Sequence, residues 1–328
     1  MMRPALAGAA ALLTVMLPDP ALAQDALRTF QQREQQLFAA GTRLARANAR
    51  LCDEVMPASG FLLHDAAAYG EPAAVRKALG LAGDIGIQAI APGSGAEAAG
   101  LKVNDTIVAL GGQDIASTWP ASDPGWQRGE TLRTVIADAL ATGALELTVS
   151  RPGAAPRTVT IAPQPACASR FEVLDRSNDA WADGERVAMG VNWPAFGYDE
   201  DAFAASVAHE LAHNIRGHVA ALATVNRKQR LVRISERDAD RLMPWLLWNA
   251  GYDPEGAVRW MKAWGPRYTW LNRKRTHDAW DERVAAIEAE IAVLQSLIER
   301  EGWQRGEAAW NRHFQPEFEP ALAHATGG

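Results

Sequence analysis

Cysteine is scarce in this sequence: only two of the 328 residues, Cys52 and Cys167, are cysteines. Two thiols are too few for a zinc site built from cysteine alone. Long apolar runs are also missing, since none reaches the roughly 18–20 residues that a membrane-spanning helix requires. We therefore expect no transmembrane segment. The net charge is −6 and no long block of like charges occurs, so the basic face typical of nucleic-acid binders is not expected.

The rest of the composition is that of an ordinary globular protein. Apolar residues make up 48% of the chain and charged residues 22%, with 27 glycines and 18 prolines. A disordered chain would be less apolar, and a fibrous one would be more repetitive. At roughly 150 residues per domain, the length predicts about two folded domains.

The first residues resemble an export signal. Arg3 supplies a positive charge, Ala5 to Leu17 form a short apolar stretch, and Ala21-Leu22-Ala23 offers a small-residue cleavage site. This pattern predicts a secretory signal peptide over residues 1–23, cleaved near Ala23, with an ordinary N-terminal helix as the alternative. The mature protein is then expected in the periplasm or outside the cell.

Export changes the interpretation of the two cysteines. In an oxidising compartment, two cysteines more often form a disulfide than remain free. We therefore predict a bond between Cys52 and Cys167, and two separate buried thiols are the alternative. The bond would join the two ends of a segment with a composition of its own.

Three regions of different character follow the signal, and together they predict an α+β fold. Residues 24–75 predict a helical segment that packs on the C-terminal domain, because apolar residues recur at helical spacing. Residues 76–165 predict a small β-rich domain, and residues 166–328 predict a mainly helical domain. The main elements expected are strands at Ile85–Ile90 and Thr106–Leu110, a helix at Thr131–Ala141, a hairpin from Leu145 to Ile161, and later helices near 200–223, 235–250, 254–264 and 279–301.

The β-rich region resembles a PDZ domain of the bacterial protease type. The resemblance lies in Leu79-Gly80-Leu81, in the run from Ile87 to Ala96, and in the run from Ala99 to Ile107. It implies that a peptide adds as a strand at the loop before Ile85–Ile90. Asn104 stands where the family usually has Gly, and the loop after Leu81 is short. A domain that packs without binding peptide is therefore the alternative.

The central motif is His209-Glu210-Leu211-Ala212-His213. On a helix, positions i and i+4 differ by about 40° of rotation, so His209 and His213 project from one face. Two neutral imidazoles at this spacing can bind one zinc ion. Glu210 lies beside them, where it can take a proton from zinc-bound water.

A zinc hydrolase with an open coordination position needs a third protein ligand. The downstream candidates are His218, Glu236, Asp240 and His277. On the predicted helix, His218 lies about 180° from His209, so it points to the opposite side and cannot join the ligands. Glu236 and Asp240 share one helix face, so that one can bind the metal while the other orients a histidine. Asp238 is expected to face solvent.

Four ordered motifs of the C-terminal region resemble the M48 family of zinc metallopeptidases, which are gluzincins. They are the run from His209 to His218, the run from Glu236 to Leu242 with Ala250 to Pro254 after it, Asn178-Asp179-Ala180-Trp181-Ala182, and Thr276-His277 with Glu282-Arg283. The resemblance implies that Glu236 is the third ligand of one Zn²⁺ per chain and that Asp240 orients His209. It further implies that His277 stabilises the oxyanion and Arg283 braces the acidic cluster. Asp278 departs from the pattern, because the family has Pro after this His.

The segment before the motif helix alternates like a strand. Val187, Met189 and Val191 share one side of the run from Arg186 to Trp193. We predict an edge strand to which a substrate adds in extended form, and an ordinary internal strand is the alternative.

Together these features predict a zinc-dependent endopeptidase of the bacterial cell envelope that hydrolyses polypeptides, as in the quality control of unfolded envelope proteins. One alternative is a non-proteolytic, chaperone-like binding factor with a structural zinc site, although such a site has no need for Glu210. Another is a zinc exopeptidase, for which the sequence shows no charged subsite for a free terminus.

Overall fold

The computed structural model describes residues 20–121, 125–267 and 277–326. The fold is mixed α and β, as predicted. Residues 1–19, most of the predicted signal peptide, lie outside the described residues, and residue 20 begins a helix. In the described ranges, no helix combines the length and the apolar character needed to cross a bilayer.

The described helices are α1 (Pro20–Asn48), α2 (Pro72–Leu79), α3 (Gly95–Ala98), α4 (Ile115–Thr118), α5 (Trp126–Thr142), α6 (Glu200–Ile215), α7 (His218–Thr224), α8 (Gln229–Asn249), α9 (Gly256–Trp264), α10 (Trp280–Glu301), α11 (Trp310–His313) and α12 (Phe318–Thr326). The strands are β1 (Val55–Ala58), β2 (Phe61–Asp65), β3 (Ile85–Ile90), β4 (Thr106–Leu110), β5 (Gln113–Asp114), β6 (Leu145–Ser150), β7 (Arg157–Ile161), β8 (Gln164–Cys167), β9 (Arg170–Leu174), β10 (Ala180–Ala182) and β11 (Arg186–Gly190).

Helix α6 is the centre of the helical part of the molecule. It packs against α8, α9 and α1, and it also contacts β10 and β11. Its alanines at 204, 205, 208 and 212 are fully buried, as are Val207 and Leu211. A helix that is apolar on all sides must be surrounded by other elements. The small alanine side chains allow these neighbours to approach closely, so the segment from His209 to His213 lies in the interior.

Helix α1 joins the helical part to the large sheet. Its predicted apolar face is confirmed, since Leu37 and Leu44 are fully buried. Gly41 allows the Phe171 ring of β9 to lie directly on the helix, because a Cβ there would come within 2.2 Å of the ring. On the other side, the Gln35 amide donates to Ile90 O at 2.8 Å and accepts from Ile90 N at 2.9 Å. The side chain of Gln35 therefore binds the backbone N–H and C=O of the last residue of β3.

The six-stranded sheet has the order β2-β3-β4-β6-β7, and β5 pairs with β4. The predicted strands and hairpin of this region are confirmed. However, β3 is an internal strand between β2 and β4, so the predicted addition of a peptide to β3 is blocked. The outer strands are β2 (Phe61–Asp65) and β7, and the predicted segment 76–165 omits β2. The sequence pattern missed it because β2 is separated from β3 by α2.

Asn104 adopts a positive φ of 69°. Left-handed backbone favours glycine, but asparagine is the side chain that tolerates it best. This explains how Asn replaces Gly at this turn without changing its shape. The Asn104 side chain also has a role of its own, because Gln31 of α1 donates a hydrogen bond to its Oδ1 at 2.8 Å.

The chain enters and leaves the sheet region at one place. Strands β1 and β8 pair antiparallel there, with Ala58 opposite Gln164 and Val55 opposite Cys167. The predicted disulfide between Cys52 and Cys167 is confirmed, with a Cα–Cα distance of 5.6 Å across a sequence separation of 115. The two ends of the segment are therefore joined both by backbone hydrogen bonds and by a covalent bond.

We expect that removing this bond lowers stability without changing the fold. The double variant Cys52→Ala/Cys167→Ala should lose roughly 2–5 kcal/mol of unfolding free energy, because the unfolded chain is no longer cross-linked. Urea unfolding followed by circular dichroism measures the loss. Reduced wild-type protein is the control and should unfold at the same urea concentration as the variant. A double variant as stable as the oxidised wild type would contradict the prediction.

Candidate metal centre

Helices α6 and α8 bring three predicted ligands together. His209 Nε2 lies 3.3 Å from Glu236 Oε2, and His213 Nε2 lies 3.8 Å from the same oxygen. One ligand atom from each of the three residues falls within 4.8 Å of the others. His209 and His213 come from successive turns of α6, and Glu236 comes from the facing side of α8. The arrangement can hold a metal ion.

The donor set fits a small divalent cation. Two imidazole nitrogens and one carboxylate oxygen are ligands that zinc accepts, and such catalytic sites keep a fourth position open. Ligand atoms at about 2.0–2.1 Å from a tetrahedral ion lie roughly 3.4 Å apart. The observed separations of 3.3 and 3.8 Å are close to that value. Two of the three pairs of ligand atoms therefore have about the spacing that a bound ion requires, and the third lies within 4.8 Å.

A buried ion pair between Asp240 and Arg283 lies beside His209. His209 Nδ1 lies 3.1 Å from Asp240 Oδ1. Arg283 of α10 donates to both Asp240 oxygens, at 2.6 and 2.7 Å. Burial alone would raise the pKa of the Asp240 carboxyl, but Arg283 and His209 hold it below its usual value. Asp240 is therefore a fixed negative charge that orients His209, in the position that the resemblance implied for it.

The same surroundings favour positive charge at His209. Burial lowers the pKa of this imidazole, but the contacts with Asp240 and Glu236 outweigh it and raise the pKa to about 10. The pKa of Glu236 shifts in the opposite direction. Burial raises this pKa, but His213, His209 and His277 together lower it to well below the ordinary value. A proton or a metal cation can satisfy these carboxylates, so the two compete for the site.

Glu210 lines the same cleft, which has a volume of about 210 Å³. Burial raises the pKa of its carboxyl, and the nearby His209 and His213 oppose this shift. A carboxylate with a raised pKa is a stronger base than an ordinary glutamate. Glu210 does not belong to the ligand group of the described residues. It is available for proton transfer.

His277 approaches the ligands from the segment before α10. Its Nε2 lies 2.9 Å from Glu236 Oε2, and its side chain is 27% exposed. The ring therefore contacts the ligand carboxylate, and reaching a substrate oxygen would require it to turn away. Thr276, which precedes it in the predicted motif, lies outside the described residues.

The predicted orientation of His218 is wrong, because the helix on which it was calculated ends earlier. Helix α6 ends at Ile215, and Gly217 turns the chain with a φ of 60°. His218 then begins α7 and returns to the site, where its Nδ1 lies 3.1 Å from His213 Nδ1. Among the described residues His218 is still outside the ligand group. It contacts the far side of one ligand ring.

Asp238 does not face solvent as predicted. It is fully buried, and its carboxylate accepts hydrogen bonds from the backbone N–H groups of Glu317 and Phe318 at 2.9–3.0 Å. These groups belong to the start of α12, whose orphan donors need acceptors. Asp238 therefore docks the C-terminal helix on α8. The helix that Asp238 caps begins 80 residues further along the chain, so local sequence does not reveal this role.

The predicted substrate strand is also placed differently. In the three-stranded sheet, β11 lies between β10, which is antiparallel to it, and β9, which is parallel. Val187 and Met189 are fully buried in the core, and Val191 follows the end of β11. They are therefore not edge residues. The edge strand next to the ligands is β10 (Ala180–Ala182), which lines the cleft.

Comparisons with known proteins add no relative: no family model, no curated protein and no solved structure matches this chain. The geometry of the site and the sequence motifs are therefore the basis for assigning a function to this chain.

The ligand group leads to a direct prediction. His209→Ala and Glu236→Ala should each lose the bound metal, because only two of three protein ligands remain. His324→Ala, which removes an exposed imidazole of α12, is the matched control and should keep it. Metal content per chain, measured by mass spectrometry after dialysis against zinc, distinguishes these variants. Full occupancy in the Glu236→Ala variant would show that another residue is the third ligand.

Proposed function

We propose that this chain is a zinc-dependent endopeptidase of the gluzincin type, with one Zn²⁺ per chain. The observation that carries the proposal is the position of Glu210. It lies beside three convergent ligands, inside a cleft that is bordered by the free edge of a strand. A site that served structure alone would need the ligands but no additional carboxylate of raised pKa.

Each residue of the site has a separate proposed role. His209, His213 and Glu236 would hold the ion, and Asp240 and Arg283 keep His209 in place. A bound zinc ion supplies Lewis-acid activation of water and of the scissile carbonyl. Glu210 takes the proton of the attacking water and delivers it to the leaving nitrogen. His277 is the proposed hydrogen-bond donor to the oxyanion, after its side chain has turned away from Glu236.

The substrate is proposed to bind as an extended strand along β10. Among the described residues, this strand pairs with β11 on one side and with no strand on the other, and Ala180, Trp181 and Ala182 line the cleft. An edge strand offers unpaired backbone N–H and C=O groups that another chain can bond. Backbone pairing requires an unfolded or extended substrate and selects weakly among side chains. Polypeptides in unfolded or misassembled states are therefore the proposed substrates.

The envelope of a bacterial cell is the proposed location. A disulfide forms readily in the periplasm or outside the cell, and here it joins Cys52 to Cys167. With the signal-like N-terminus and the PDZ-like motifs, it supports a role in the quality control of envelope proteins. The six-stranded sheet is then an accessory region that contacts substrates, since all proposed catalytic residues lie outside it. A binding factor without hydrolytic activity is the competing function.

Glu210→Gln separates these two functions. The variant should fold, bind one zinc and lose most hydrolysis, because the amide cannot accept the proton. We expect the rate on an unfolded protein such as casein to fall by about 10²–10⁴-fold. Glu299→Gln on the exposed side of α10 is the control and should leave the rate unchanged. Near-normal hydrolysis by Glu210→Gln, or no hydrolysis by wild type loaded with zinc, would contradict the proposal.

The accessory role of the sheet can be tested by excision. Because Ala58 lies opposite Gln164, an Asn-Gly turn in place of residues 59–163 should convert β1 and β8 into a hairpin. The shortened protein should keep its zinc and cleave a short unstructured peptide at a rate within a few-fold of wild type. Cleavage of large protein substrates should fall, since a second contact is lost. Loss of zinc binding on excision would show that the sheet belongs to the catalytic unit.

A further inference from the structure

The ring of His218 is placed against a ligand by a break in the chain. Gly217 has a φ of 60°, which side chains with a Cβ rarely adopt. This turn ends α6 and starts α7 with His218 as its first residue. The rings of His213 and His218 then meet edge to face, with centroids 5.1 Å apart and Nδ1 atoms 3.1 Å apart.

The two nitrogens of His213 face different partners. Nε2 faces Glu236 and the ligand group, whereas Nδ1 faces His218. A neutral imidazole that binds a metal through Nε2 carries its proton on Nδ1. That N–H then needs an acceptor. Nδ1 of His218, 3.1 Å away, is in the right place to accept it.

We propose that His218 is a positioning residue for His213: it accepts the Nδ1–H hydrogen bond and so fixes the orientation and tautomer of this ligand. The inference deepens the proposed function and depends on zinc binding at His209, His213 and Glu236. Groups that support a ligand histidine in this way commonly change metal affinity by about 10–100-fold.

The surroundings of His218 show that its polarity is not needed for packing. The side chain is fully buried, and the ring of Phe318 lies on it with centroids 4.8 Å apart. Within the described part of the chain, His218 Nε2 has no hydrogen-bond partner. A buried polar group without a partner costs free energy that an apolar residue would avoid. The contact with His213 is the one described hydrogen bond of this ring, and it offsets that cost.

The C-terminal helix α12 holds the ring of His218 in position. Phe318 is the first residue of α12, and Asp238 accepts its backbone N–H at 2.9 Å. Asp238 lies on α8 two residues after Glu236. The same helix therefore supplies one ligand directly and, through Phe318 and His218, supports another.

Two substitutions separate hydrogen bonding from packing. His218→Phe keeps an aromatic ring against Phe318 and removes the acceptor, whereas His218→Asn places an amide oxygen near the position of Nδ1 in a smaller side chain. We expect zinc affinity, measured by competition with a chromophoric chelator, to fall about 10–100-fold in the Phe variant and only a few-fold in the Asn variant. Cobalt(II) absorption should shift in the Phe variant and match wild type in the Asn variant.

Each outcome has one meaning. Wild-type affinity in the Phe variant, or an Asn variant as weak as the Phe variant, would overturn the role of His218 while leaving the proposed function in place. Failure of wild type to bind zinc would instead overturn the proposed function. Thermal melting of the chelated proteins checks that the variants fold. If the Phe variant does not fold, His218→Leu removes the acceptor with a similar volume and carries the same expectation.

Discussion

The buried pair of Asp240 and Arg283 is the interaction on which the site depends. It joins α8 to α10 with two short hydrogen bonds and places a fixed negative charge behind His209. Asp240 is 1% exposed and Arg283 6%, so neither charge can be satisfied by solvent. Breaking a buried pair of this kind by removing one partner typically costs about 3–5 kcal/mol. The charges must remain together, and the helices that carry them are therefore held in one arrangement around α6.

Helix α8 uses three acidic residues at alternate positions for three different purposes. Glu236 faces the ligand group, Asp238 accepts the first N–H groups of α12, and Asp240 pairs with Arg283. Residues two positions apart on a helix point in nearly opposite directions. The alternation therefore distributes negative charge to both sides of α8. A substitution at Asp238 would act on the site only indirectly, through the C-terminal helix.

The sequence patterns predicted correctly those features that depend on residues close together in the chain. The spacing of His209 and His213 fixes their common helix face, and turn residues located the strands of the large sheet. Glu236 could be chosen over Asp240 only by family resemblance, because both share the same face of α8. Long-range features were missed: the neighbours of β11 are set by pairing with distant segments. His218 returns to the site because the left-handed Gly217 turns the chain. The periodicity of apolar residues does not reveal a turn made by a single residue.

The two ends of the segment that carries the large sheet are joined to each other, because β1 pairs with β8 and Cys52 is bonded to Cys167. A single backbone cut anywhere between Ala58 and Gln164 would therefore leave two fragments that the disulfide still holds together. The contacts of α1 with the sheet, such as Gln35 with Ile90 and Arg46 with Gly93, would remain in place across such a cut. The molecule is in this sense protected against dissociation after a single proteolytic event in its sheet region.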